Sequence, residues 1–140
     1  MMTKRRKRFF VAGIVLASLA GGYGLFHLLR PIDEEVRLAR IEMKLRATLD
    51  RLVGLAKKDV LVELGEPGER RRAELPTTPF WGPQEKLTSI LKPGQSYEEW
   101  RHKKGRFTCL IWFAGTADSA SSRDDWKVVA TGIHREGVVY

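Results

Sequence analysis

The sequence predicts an α+β fold in which two helices pack on an antiparallel sheet of three strands, or four, preceded by one transmembrane helix. Three observations carry this. Residues Phe9–Leu29 contain no Asp, Glu, Lys or Arg and directly follow Lys4-Arg5-Arg6-Lys7-Arg8. Leu38, Ile41, Leu45, Leu49 and Leu52 recur at spacings of three and four, an apolar helical stripe. The last third reads as strands joined by short turns. Helices followed by consecutive strands make a two-layer α+β domain.

The uncharged segment 9–29 would span about 31 Å at about 1.5 Å per residue, close to the hydrocarbon thickness of a bilayer. Lipid offers no partners for backbone amides, so the segment must be helical. The cluster Lys4, Arg5, Arg6, Lys7 and Arg8 places the N-terminus in the cytoplasm by the positive-inside rule and the rest of the chain across the membrane. A cleaved signal peptide is the alternative, with Ser18-Leu19-Ala20 as its cleavage site. Against cleavage, the apolar residues continue through Leu29. Gly13, Ala17 and Gly21 recur every four residues, a small-residue ridge that would allow a homodimer through the membrane helix.

The formal net charge of +8 suggests nucleic acid, but its distribution does not. Residues 1–30 contribute +6, and the remaining 110 hold 19 basic and 17 acidic residues. The basicity is a topology signal that also suits anionic inner-leaflet lipid. Arg70-Arg71-Arg72 is the one basic cluster beyond the membrane segment and reads as a solvated loop. The single Cys109 excludes an internal disulfide and reads as a buried small hydrophobe.

Residues 1–8 thus form a cytoplasmic tail, 9–29 the membrane helix and 31–140 one small domain. Acidic residues Asp33-Glu34-Glu35 suit a first helical turn, and the stripe predicts a helix from about Asp33 to Val53. Its heptad-like spacing is too short for a coiled coil, so the stripe is assigned to the core. Gly54 breaks the helix. Lys57 to Leu64 reads as a second, with Gly65 at its C′ position and Pro67 preventing continuation. The Pro-rich stretch 66–96 reads mainly as loop, with one or two helical turns possible from Pro83 to Leu91.

Tyr97–His102, Arg106–Phe113 and Trp126–His134 read as three strands of an antiparallel meander, with a tight turn at Lys103-Lys104-Gly105. Glu136-Gly137 suggests a final turn before Val138. The segment 115–125 reads as a polar hairpin loop. On the second strand Phe107, Cys109, Ile111 and Phe113 share one face, while Thr108, Leu110 and Trp112 share the other. Two helices cover only one face. Either the Pro-rich loop, with Phe80 and Trp81, folds over the second, or Trp112, Leu110, Trp100 and Trp81 form an exposed partner surface. Whether Trp100 or Tyr97 joins Trp112 depends on the strand register.

The block Gly54-Leu55-Ala56-Lys57-Lys58-Asp59-Val60, followed by Leu64-Gly65-Glu66-Pro67, resembles the signature of the SmpA/OmlA (BamE-like) domain. Tyr97-Glu98-Glu99-Trp100 and the apolar strand after it resemble that family's second block. Together they span residues 40 to 115. The resemblance implies two helices on an antiparallel sheet and a non-catalytic, protein-binding module of the bacterial envelope. Gly54, Val60, Leu64, Gly65 and Pro67 are its structural motif. The chain departs from the family in lacking a lipobox cysteine, and carries the apolar N-terminal segment instead. That puts outer-membrane residence and barrel assembly aside, and leaves the fold and the interaction role.

Motifs for chemistry are sparse. No phosphate-binding glycine loop, nucleophile elbow or zinc-protease helix occurs, and no cofactor is implied. His27 lies near the outer end of the membrane segment. His102 and His134 end strands and lack a third metal ligand of suitable spacing. The leading expectation is a single-pass inner-membrane protein, with its C-terminal domain outside the cytoplasm, that binds the bilayer and another envelope protein and no nucleic acid. The alternative is an extracytoplasmic ligand-binding domain, with the Pro-rich loop as a lid over an apolar sheet face. Its localisation would be periplasmic if the N-terminal segment were cleaved near Ala20.

Overall fold

Residues 42–138 are built around a four-stranded antiparallel sheet of order β1-β2-β3-β4. The computed structural model describes residues 32–78, 82–115 and 122–138. The chain falls into two units, 1–41 and 42–140. The helix α1 is described over residues 32–50. In the first unit its residues 32–41 bury Leu38 and expose Ile32, Val36 and Ile41. Among the described residues no helix is long and apolar enough to cross a membrane. The basic cluster 4–8, the segment 9–29 and its Gly13, Ala17 and Gly21 lie outside the described residues.

In the second unit α1 continues through residue 50 and is followed by a turn over 51–54. Gly54 takes a φ of +90°, which its lack of a Cβ allows. The helix α2, Lys57–Leu64, has the bounds the sequence predicts. Gly65 ends it with φ +77°, and its N–H donates to the Leu61 carbonyl. Its ψ of −167° departs from the left-handed helical value expected at C′. Gly65 instead starts an extended exit that Pro67 continues.

That exit leads into β1, Glu69–Glu74. The stretch read as Pro-rich loop therefore contains the fourth strand. Its sequence ERRRAE lacks the apolar alternation that marks a strand, because β1 sits at the sheet edge and only Ala73 is half-buried. The Arg70-Arg71-Arg72 cluster lies in this strand and not in a loop. The strands β2 (Ser96–Lys104), β3 (Phe107–Ala114) and β4 (Lys127–Arg135) form the expected meander. The β2–β3 link is the two-residue turn Gly105-Arg106, with Gly105 at φ +60°. Glycine at the first of two loop residues suits the twist of a hairpin. A short 3-10 turn, Arg123–Asp125, precedes β4, while 116–121 of the expected polar loop are outside the described residues.

The register decides the faces. Trp100 lies opposite Ile111, and Glu99 opposite Trp112. Trp100 therefore joins the helix-covered face, and Tyr97 the face of Trp112. A β-bulge in β4 pairs Phe113 with Val128 and Trp112 with Ala130, leaving Val129 as the extra residue. It shifts the phase of β4, so that Val128 meets the helices and Ala130 meets the opposite layer. The first core holds Leu49, Leu52, Val60, Trp100, Cys109, Ile111, Phe113 and Val128, with Leu45, Leu61 and Leu64 packed against it.

The opposite core holds Leu75, Leu87, Leu91, Tyr97, Leu110, Trp112, Ala114 and Ala130. Its cover is the Pro-rich stretch, where the 3-10 helix Pro83–Ser89 brings Leu87 down on the sheet. Pro83 sits at the first turn of this helix, where a missing N–H costs nothing. Gly132 provides the room that Trp112 fills. A Cβ there would come within 2.7 Å of the indole.

Candidate functional site

Two consecutive carboxylates, Glu98 and Glu99, are buried in the middle of the sheet, one on each face. Alternation along β2 sends them in opposite directions. Each accepts a hydrogen bond from an indole. Trp100 Nε1 donates to Glu98 Oε1 at 2.6 Å, and Trp112 Nε1 donates to Glu99 Oε2 at 2.7 Å.

On the helix face Lys57 Nζ donates to Glu98 Oε2 at 2.8 Å, and Arg72 Nε of β1 lies 3.6 Å from the same oxygen. The Lys57 ammonium also lies over the Phe113 and Trp126 rings. On the opposite face Arg101 Nε donates to Glu99 Oε1 at 2.6 Å. Gln84 Nε2, from the 3-10 helix, donates to Glu99 Oε2 at 3.1 Å. Burial alone would push both carboxyls up. For Glu98 the bonds from Lys57 and Trp100 outweigh it, and for Glu99 those from Trp112, Arg101 and Gln84 do, so both lie below the ordinary carboxylate range. These carboxylates tie layers together: Glu98 links α2, β1 and the sheet, and Glu99 links the 3-10 helix to it.

The aromatic partner surface expected from the sequence is therefore corrected. Trp112 is 0% exposed, Trp100 1% and Leu110 4%. Leu87 and Leu75 cover Trp112 and Leu110, while α1 and α2 cover Trp100. Trp112 and Leu110 share a face, and Trp100 lies on the other. Trp81, like Phe80, is outside the described residues. Of the motif residues, Val60 is in the helix-side core, Leu64 packs against it, and Gly54 and Gly65 have the positive φ that links helix to turn and helix to strand.

His102 is buried on the helix side, opposite Cys109, and its Nε2 has no hydrogen-bond partner among the described residues. Burial, with Lys104 and Arg70 nearby, lowers its pKa and favours the neutral ring. Burial raises the Cys109 thiol, as expected of an unreactive core cysteine. Among the described residues no three metal-ligating side chains converge.

What the described surface offers lies at the two edges of the sheet. Along β4, Gly54 N–H donates to the Val128 carbonyl and Val128 N–H to the Leu55 carbonyl. Ala56 bridges to Lys127, and Lys86 Nζ donates to the Thr131 carbonyl. A pocket of about 100 Å³ between Arg46, Asp50, Lys86 and Thr131 lies along this edge. Along β1, the Leu75 N–H donates to the Gln95 carbonyl in continuation of the ladder. By alternation Glu69, Arg71 and Ala73 bond towards β2, and the N–H and C=O of Arg70, Arg72 and Glu74 point outwards. Among the described residues these outward groups have no backbone partner. Arg70 lies over the Trp100 ring at 4.6 Å and pairs with Glu66. Arg71 is exposed, with no hydrogen bond or ion pair among the described residues. Beside the end of β1, Arg72, Glu74, Tyr97, Arg123 and Trp126 line a pocket of about 200 Å³.

No protein-family model, curated protein or solved structure matches this chain.

Proposed function

We propose that the protein is a membrane-anchored, non-catalytic interaction module of the bacterial envelope, held by residues 9–29 with residues 31–140 outside the cytoplasm. The anchor rests on the uncharged 21-residue segment after the basic cluster 4–8. The interaction role is the one the BamE-like resemblance implies. The observation that carries it is the open edge of β1. Both sheet faces are filled by the chain's own side chains, and the buried carboxylates are occupied in joining layers. The outward N–H and C=O groups of Arg70, Arg72 and Glu74 are a ready template for a partner strand.

The test uses the full chain in its native membrane with a photoreactive residue in place of Arg71 or, as a control, of the exposed Lys58 on α2. Crosslinks to a discrete protein from position 71 and not from 58, in the membrane fraction, are expected. Equal labelling from both positions would remove the edge-binding role. Recovery of the chain in the soluble fraction, with a mature N-terminus near Gly21, would remove the anchor.

A further inference from the structure

The β1 edge carries three consecutive arginines, and their placement selects what can pair with it. Arg70 and Arg72 project to the helix face, opposite Trp100 and Glu98, and Arg71 projects to the other face, opposite Glu99. A second copy of β1 laid antiparallel and centred on Arg71 would bring Arg71 against Arg71 and Arg70 against Arg72. Like charges directly opposite one another destabilise a strand pair. In that register the sequence opposes self-pairing at an edge whose backbone is otherwise able to pair, and a copy centred on Arg72 would still set Arg72 against Arg72.

The cations are only partly neutralised within the chain. Arg72 contacts Glu98 at 3.6 Å, but Lys57 already holds that carboxylate at 2.8 Å, and two-thirds of the Arg72 side chain remains exposed. Arg71 has no acid partner among the described residues. At the end of the strand Arg72 and Arg123 line the 200 Å³ pocket together with the Trp126 and Tyr97 rings, Ser96 and one acid, Glu74. That volume suits one side chain better than a small-molecule ligand, whose sites usually exceed about 300 Å³.

We infer that the β1 edge accepts an extended acidic segment of another protein as a fifth strand, with carboxylates at alternate positions facing Arg70 and Arg72 and one reaching the Arg72–Arg123 pocket. This rests on the interaction-module reading and adds the chemistry of the partner. The incoming backbone supplies the ladder bonds that Arg70, Arg72 and Glu74 leave open. Opposed Cβ atoms in such a pair lie about 4.5–5.5 Å apart, within reach of an Arg–carboxylate bond.

The full chain in detergent would be titrated with a seven-residue peptide alternating Glu and Thr, followed by backbone amide shifts and calorimetry. The expected result is saturable binding with the largest shifts at the Arg70 and Arg72 amides. Affinity should fall at least tenfold when alternate peptide nitrogens are methylated, and again for Arg72→Gln or Arg123→Glu. Both arginines are exposed, and the methylated peptide keeps the test valid should either variant fold poorly. Absence of binding, equal binding of the methylated peptide or of a Lys/Thr peptide, or shifts confined elsewhere would overturn the inference. The crosslinking from position 71 registers a partner of any charge. It separates failure of this acidic-strand proposal from failure of the interaction role.

Discussion

The first part of the β4 edge, from Lys127 to the Thr131 carbonyl, is closed by the chain itself, whereas the β1 edge ends in outward backbone groups without a partner among the described residues. On β4 the turn after α1 bonds to Val128, Ala56 bridges to Lys127, and Lys86 caps the Thr131 carbonyl. On β1 the protection among the described residues comes from charge, in Arg70, Arg71 and Arg72. An unpaired edge invites pairing with another chain, and charged residues restrict it without abolishing it. The contrast teaches that one edge is folded into the domain at its start and the other is guarded by charge. Substitutions near β4 should therefore act on stability, and substitutions on β1 on binding.

The largest effect is expected for Trp112→Ala. Trp112 fills the face beneath Leu87, is bonded to Glu99 and lies under the Lys86 ammonium. Its loss should cost about 3–5 kcal/mol. Thermal unfolding measures it, and a loss below about 1 kcal/mol would mean that the Pro-rich cover is not docked as described.

Glu98→Ala should come next, at about 3 kcal/mol, because it leaves Lys57 and the Trp100 indole without their acceptor. The pH dependence has a definite sign. The folded-state pKa values of Glu98 and Glu99 lie below the ordinary 4.5. Their stabilisation is fully present above that value and is lost as pH falls below it through the depressed folded-state values. Melting temperature should drop over this window, and the double variant Glu98→Gln, Glu99→Gln should flatten the drop. An unchanged acid slope in that variant would show that other carboxylates govern acid unfolding.

Lys86→Met keeps the aliphatic stem but removes the cap on Thr131, so about 1 kcal/mol is expected. Because it also uncovers the β4 edge, concentration-dependent self-association should rise, read by light scattering. A variant as monodisperse as the parent chain would show that the turn 54–56 closes this edge without Lys86.

The smallest stability effect belongs to Arg71→Glu, within about 0.5 kcal/mol, as for an exposed residue lacking partners. If this variant instead melts like Glu98→Ala, the β1 edge is structural and the contrast between the edges fails.

How legible this was depended on burial. The helix Lys57–Leu64 and strands β2 to β4 were readable because apolar spacing or alternation and glycine turns mark them. The strand β1 was not, since an edge strand exposed on both sides needs no apolar alternation and ERRRAE shows none. The roles of Glu98 and Glu99 were likewise hidden. Two acids between Tyr97 and Trp100 were the available signal, but acids in a strand are ordinarily solvated, and only the indoles of Trp100 and Trp112 make burial tolerable.

By itself the sequence determined the α+β class, the chain order of the elements and the two faces of β3. Those follow from local periodicity and from φ values that only glycine adopts readily. The tertiary structure alone decided that Trp112 is buried and Trp100 lies behind it on the other face. It also decided that the arginine triplet is an edge strand and that, among the described residues, the start of the β4 edge is closed while the β1 edge has no backbone partner. Each of these depends on register and on which distant segment supplies the covering layer, and neither is encoded in the spacing of neighbouring residues.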